Sequence, residues 1–355
     1  MLHHGRRGLL SKPATPPVTN YYIAVASGLS SPYIFVYPWD DTTGFGAKFS
    51  NPATLPTGTG ICVAFHPDGS AIAVTTATSP YIQAYPWSTS GFGTKFSDPG
   101  TLPAGTANKC KFSTAGDAIA LGHQVSPYVT AYPWSTSGFG TKFSDPGTLP
   151  AGGNGLGVAF SPSDDAIAVS SNSLPYVQVY AWSSSSGFGS KYANPASAMG
   201  SSSLEPTFSP NGSYIASANV SAPRVNAYGW TTASGFGSKV ANPGTGPTGQ
   251  GNSVAFSPAG TEIAVAHATS PYVTAYPWTT GFGTKFANPG TLPAGNGLGV
   301  AFSPTGSSIA VGHATTPFVA AYAWSSSGFG SKFSNPATLP GSTGGQYVAF
   351  GKIVS

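Results

Sequence analysis

Charge is what this sequence has least of: Asp, Glu, Lys and Arg together make up 7% of its 355 residues, against about 25% in an ordinary soluble domain. Solubility must rest on Ser, Thr, Asn and Gly instead, a surface suited to a place in an assembly or outside a cell. Cysteine is nearly missing as well. Cys62 and Cys110 fall out of phase in equivalent segments, so their side chains are expected on opposite strand faces, buried and without a disulfide. No apolar run is long enough to cross a membrane or to form a signal-peptide core. Helical periodicity is absent too. Acids are so few and scattered that no Ser-His-Asp or Cys-His constellation can be assembled, and neither a metal nor another cofactor is expected. Of the net charge of +4, Arg6, Arg7 and Lys12 supply three, leaving a body near +1 and no expected nucleic-acid partner.

What is abundant is repetition. Trp39, Trp87, Trp134, Trp182, Trp230, Trp278 and Trp324 recur every 46–48 residues, each followed by Gly-Phe-Gly-x-Lys, a period in the range of propeller blades. In the copy at 254–293, VAFS is followed by Pro-x-Gly, IAVAH by a Ser-Pro, and YVTAYPW by a Thr/Gly run. Runs of β-branched and aromatic residues bounded by such turn residues read as strands, four to each copy, in an antiparallel meander. In the third segment both parities are apolar: Tyr33, Phe35, Tyr37 and Trp39 on one face, Ile34, Val36 and Pro38 on the other. A strand buried on both faces belongs to a sheet packed between two others, which radial blades provide.

The first-strand signature ends at Phe65, Phe112, Phe160, Phe208, Phe256, Phe302 and Phe350, seven times in all. The second-strand signature is also sevenfold, but its first instance, Tyr22 to Val25, precedes every first strand, and the last first strand has no second strand after it. The two ends complete one another, so the expected fold is an all-β, seven-bladed propeller. Its ring is closed by the C-terminal strand joining the N-terminal blade, leaving no edge unpaired. Two regions follow: residues 1–20 as an extended, proline-bearing arm, and 21–355 as the ring. The arm reads either as a frayed tail or as a docking segment that carries Arg6, Arg7 and Lys12 to a partner.

Candidate chemistry is sparse. The paired acids Asp40–Asp41 and Asp164–Asp165 read as solvated turns. His123, His267 and His313 share one repeat position spread round the ring, so they cannot converge on one metal. The lysines Lys48, Lys95, Lys142, Lys191, Lys239, Lys285 and Lys332 form a ring on one rim, where lysine is an ordinary guard against edge pairing. The Gly-Phe-Gly units lack the GK[ST] of a phosphate loop. Departures from the repeat say more. Lys109 and Lys111 replace small or apolar first-strand residues, Glu205 and Pro206 enter the same strand of another copy, and Tyr214 enters its second strand. Arg224 stands where other copies carry Tyr or Phe, and Val240 replaces a recurrent Phe. First strands line the channel of a propeller, so Lys109, Lys111 and Glu205 are expected to bring charge into it. With Arg224 they read either as a contact patch for a partner or glycan or as drift in a redundant array.

The run V-A-F-S-P-x-G-x-x-I-A-V followed by Y-V-x-A-Y-P-W resembles the WD40-type β-propeller repeat over about residues 21–350. Pro-Trp, Ala-Trp or Gly-Trp stands in place of that family's Trp-Asp, and its Gly-His before the first strand is missing. The near-identical copies with SPY, YPW, GFGTKF and NPATLP are more similar to propellers encoded by tailed bacteriophages. That resemblance implies a non-enzymatic virion component, a head or tail decoration or host-binding module. Its arm would hold other virion proteins, and its ring would meet a host-surface protein or glycan. The competing expectations are a cytoplasmic interaction scaffold and a lactonase-like or other propeller enzyme with a metal in the channel, the last opposed by the shortage of channel acids.

Overall fold

The computed structural model describes residues 18–28, 31–341 and 345–354. Arg6, Arg7 and Lys12 lie outside the described residues. The chain forms seven antiparallel sheets, and the inner strands of successive sheets pack against one another around an axis, as a propeller requires. A representative blade runs from Gly60–Phe65 through Ala71–Thr76 and Ile82–Ser88 to a two-residue outer strand, Gly91–Phe92. The outer strand lengthens to five residues in Gly187–Lys191, Gly235–Lys239 and Gly328–Lys332. Beyond Val273–Pro277 it shrinks to a single bridge between Trp278 and Phe282.

Closure follows the expected plan. The C-terminal strand Gly345–Val354 pairs antiparallel with Thr19–Ser27, from Thr19 opposite Val354 to Val25 opposite Val348. The last strand of the chain thus becomes the innermost strand of the blade that the first strand begins.

Aromatic cages join neighbouring blades. Trp134 makes edge-on contacts with Phe139 of its own outer strand, Phe112 of its own inner strand and Phe96 from the preceding repeat, at centroid distances of 5.0, 5.0 and 5.2 Å. The same three-ring pattern surrounds Trp39, Trp87, Trp182 and Trp324. Each such pair contributes about 1 kcal/mol beyond its buried area, whereas a surface ion pair such as Lys95–Asp98 contributes about 0–1 kcal/mol. The rim lysines act locally, as their position implies: Lys285 Nζ donates to the Phe286 carbonyl at 3.2 Å and to Asn288 Oδ1 at 2.6 Å, tying down the outer edge.

Cys62 and Cys110 are both buried and free. Burial without a disulfide is as expected. Out-of-phase positions on neighbouring blades face each other across the blade interface, and Cys62 Sγ lies 3.7 Å from the Cys110 carbonyl oxygen. The paired acids work as turn fasteners. Asp40 accepts the Thr42 and Thr43 amides, each at 2.8 Å, and Asp164 accepts Thr114 and Ala115 amides from the adjacent blade at 2.8 and 2.6 Å.

Candidate active site in the channel

Six inner strands end in a phenylalanine and the seventh carries Phe350 in the same register, and one register column, three positions before that ring, supplies Lys109, Glu205 and Tyr347 to the channel. In five blades the next residues are Val-Ala-Phe, yet this one column reads Cys62, Lys109, Gly157, Glu205, Ser253, Gly299 and Tyr347. It is the least repetitive register position of the inner strands. Lys109 Nζ donates to Glu205 Oε2 at 2.8 Å and to the Asn252 carbonyl at 2.9 Å. Lys111 Nζ donates to the Tyr347 hydroxyl at 2.7 Å and lies 3.8 Å from Glu205 Oε1. That same carboxylate oxygen accepts the Tyr347 hydroxyl in a short hydrogen bond. Both ammonium groups stand 5.1 Å from the centroid of the Tyr347 ring, within the range of cation–π attraction.

The electrostatics are set by burial. Glu205 is 2% exposed, and desolvation alone would raise its carboxyl pKa. The charges of Lys109 and then Lys111 outweigh that effect and hold it below the usual carboxylate range. Burial, reinforced by the Glu205 charge, pushes the Tyr347 phenol well above its ordinary value. Glu205 is therefore a carboxylate and Tyr347 a neutral hydroxyl at pH 7, and with two lysines the cluster carries a net charge of about +1.

This cluster plugs the channel and separates two cavities. One, of about 540 Å³, is bounded by Phe112, Phe160, Phe208, Phe256, Phe302 and Phe350, with Lys111, Glu205 and Tyr347 at its floor. The other, of about 170 Å³, has Lys109 at its floor and walls formed by Ile61, Leu156, Leu204 and Leu298 with Asn108 and Asn252. Only the larger is of a size that accommodates an organic ligand of ordinary dimensions.

Of the residues singled out by sequence, Lys109, Lys111 and Glu205 come together, although Lys109 and Glu205 are 96 positions apart. Arg224 does not join them. It occupies the turn between second and third strands at φ 67°, the left-handed position held elsewhere by Tyr or Phe, and donates Nη1 to the Pro247 carbonyl at 3.2 Å. Tyr214 and Val240 are a packing exchange: where Val240 replaces the phenylalanine that would meet Trp278, Tyr214 contacts that indole at 5.2 Å instead. Tyr347 escaped sequence reasoning, although it shares the register column of Lys109 and Glu205 and could have been found by reading that column alone. Among the described residues no three His, Cys, Asp or Glu side chains gather where they could hold a metal.

No known protein family and no curated protein matches the sequence. Solved structures do match the ring. A periplasmic gluconolactonase of Pseudomonas aeruginosa aligns at TM-score 0.72 and 14% identity over 94% of this chain and 99% of its own. A protein of Bacteroides uniformis described as a "putative 6-phosphogluconolactonase" aligns at TM-score 0.71 and 14% identity over 93% of this chain and 99% of its own. A functionally unknown protein from Desulfotomaculum acetoxidans aligns at TM-score 0.70 and 13% identity over 94% and 99%. At such identities the similarity establishes the fold. It nonetheless corrects the expectation of a non-enzymatic bacteriophage virion protein. Those of these rings that bear a functional name are named as lactonases, which are enzymes, and no link to a phage accompanies them.

Proposed function

We propose that this chain is a hydrolase of cyclic esters acting in the phenylalanine-walled cavity at the channel axis. The observation that carries this reading is the half-exposed Lys111 ammonium, held at the cavity floor by Tyr347 and Glu205. The names of the matching rings, gluconolactonase among them, support the reaction class. Hydrolysis of a lactone is promoted by a cation or donor where negative charge develops on the carbonyl oxygen. Lys111 supplies that cation as the residue that touches substrate. Water adds to the carbonyl carbon, the ring C–O bond breaks, and the proton lost by the water ends on the ring oxygen. The product hydroxy acid then ionises and releases a proton to the medium. Lys109, Glu205 and Tyr347 are positioning residues, which fix the Lys111 side chain.

The proton release provides the assay. Purified protein added to δ-gluconolactone and to an aryl-substituted δ-lactone at pH 7 should accelerate acid release, followed with a pH indicator, for at least one of them. Lys111→Met should lower kcat/KM at least tenfold, a loss of about 1.4 kcal/mol of transition-state stabilisation. Rates equal to buffer for both lactones, or a Lys111→Met protein as fast as the parent, would overturn the proposal.

A further inference from the structure

The charges and walls of the larger cavity specify its ligand more narrowly than the reaction class does. Lys109 donates to Glu205 and to the Asn252 carbonyl, and its side chain is 14% exposed. Glu205 spends both oxygens, on Lys109 and on Tyr347. Lys111 differs: its side chain is 37% exposed, and among the described residues its one hydrogen bond goes to Tyr347. An ammonium carries three donors, so two remain to be aimed at the cavity. The floor thus presents one uncompensated positive charge with free donors.

The walls carry little that could satisfy a polyol. Thr114 and Thr207 have hydroxyls that point back to main-chain carbonyls, Ser161 at 3.4 Å and Phe208 at 3.4 Å. The remaining surface is dominated by the phenylalanine collar, with Pro162, Pro210 and Pro258 behind it. The collar rings are fixed, since Phe112, Phe160, Phe208, Phe256, Phe302 and Phe350 each stand edge-on to a tryptophan. A sugar-like ring seated here would lose more hydrogen bonds to water than Lys111 and the two threonine hydroxyls could replace. An apolar ring would bury its surface against a preformed aromatic wall.

We infer that the cavity is a receptor site for a monoanion with an apolar body, an aryl or alicyclic carboxylate, whose carboxylate meets Lys111 and whose ring lies within the collar. Under the hydrolase reading this makes the substrate an apolar lactone and the carboxylate its product class; the binding itself stands apart from that reading.

The test is calorimetric titration of the full chain with phenylacetate, gluconate and 2-phenylethanol as probes. Phenylacetate should bind, gluconate, with equal charge and a polyol body, at least tenfold more weakly, and 2-phenylethanol, with the body but no charge, likewise. Lys111→Met should weaken phenylacetate at least tenfold and leave 2-phenylethanol unchanged, whereas Lys111→Arg retains most of the affinity. If Lys111→Met fails to fold, the salt dependence of phenylacetate binding to the parent protein makes the same measurement, and affinity should fall as ionic strength rises. Gluconate binding as tightly as phenylacetate, phenylacetate failing to bind, or binding indifferent to both Lys111 and salt would overturn the inference. Phenylacetate binding without hydrolysis of any lactone would overturn the hydrolase reading alone, and rapid turnover of δ-gluconolactone without phenylacetate binding would overturn this inference alone.

Discussion

A buried ion pair earns its place only as a unit, and Glu205 illustrates why. Its carboxylate answers Lys109 at 2.8 Å and receives the Tyr347 hydroxyl, at 2% exposure. Glu205→Gln removes the charge but keeps the shape, leaving the Lys109 ammonium in the channel wall with neutral acceptors and no counter-charge. Stranding a buried charge costs about 3–5 kcal/mol, so urea unfolding of Glu205→Gln at pH 7 should show a loss of that order. Replacing Lys109 and Glu205 together by Met and Leu should recover most of it, because both desolvation costs vanish. If the single and double variants were equally unstable, the pair would not be the cause. The residues of this cluster were partly legible from sequence. Lysines and a glutamate in strands otherwise made of Val, Ala and Ser signal a local exception, and position in an inner strand signals the channel. Arg224 carried the same signal of exception but marks only a turn, because departure from a repeat shows where a residue differs and not what it faces. Tyr347 stayed hidden since tyrosine is common throughout the chain.

At the scale of the strand, close approach decides what a position tolerates. The first residue of the inner strand Gly155–Phe160 sits at a register shift opposite Ser171. A Cβ on Gly155 would stand 1.8 Å from the Tyr128 carbonyl oxygen, main chain that cannot rotate away. Gly60, Gly251 and Gly297 meet the equivalent carbonyls of Tyr33, Arg224 and Tyr272 at 2.2, 2.3 and 2.3 Å. Gly155→Ala should therefore destabilise by about 1–3 kcal/mol, the cost of forcing a packed backbone to shift. Gly147→Ala, where a Cβ meets nothing within 4 Å, should fall within about 0.5 kcal/mol of the parent. Equal effects at the two sites, measured by thermal melting, would remove contact as the explanation. The strands themselves were readable from alternation and turn residues, and the doubly buried third strand Ile34–Asp40 matches the two-sided apolar pattern from Ile34 to Trp39. Outer strands were less so: Gly-Phe-Gly-x-Lys recurs in every copy, yet the paired length runs from a single bridge to five residues. Pairing there depends on how each edge is held, which the local motif does not encode.

The ring as a whole couples chemistry to closure. The channel cluster draws Lys109 and Lys111 from one blade, Glu205 from a second and Tyr347 from the C-terminal strand that completes the N-terminal blade, so the site exists only when the circle is shut. Closure was legible because a second strand without a first and a first without a second can only belong together. The ring also buries basic groups at equivalent places, and these govern its response to acid. His123, His267 and His313 are fully buried at the ends of second strands; His123 and His267 bond Thr130 and Thr274 through Nε2 at 2.9 and 2.8 Å. Burial depresses all three, His267 and His313 to about 4, against about 6.5 in an unfolded chain. Between pH 6.5 and 4 the unfolded state binds more protons than the folded one, so stability falls as pH drops through that window and the loss is complete below it. At about 1.4 kcal/mol per tenfold change in proton affinity, His267 and His313 each forfeit roughly 3 kcal/mol. Thermal melts from pH 7 to pH 4.5 should show a falling midpoint. The triple variant His123→Ser, His267→Ser and His313→Ser, which installs the residue already present at this register as Ser27 and Ser171, should flatten the curve. A midpoint that falls as steeply in the triple variant would overturn the histidine assignment, because Glu205, whose folded pKa is lowered, loses its contribution only as pH falls below the ordinary carboxylate range.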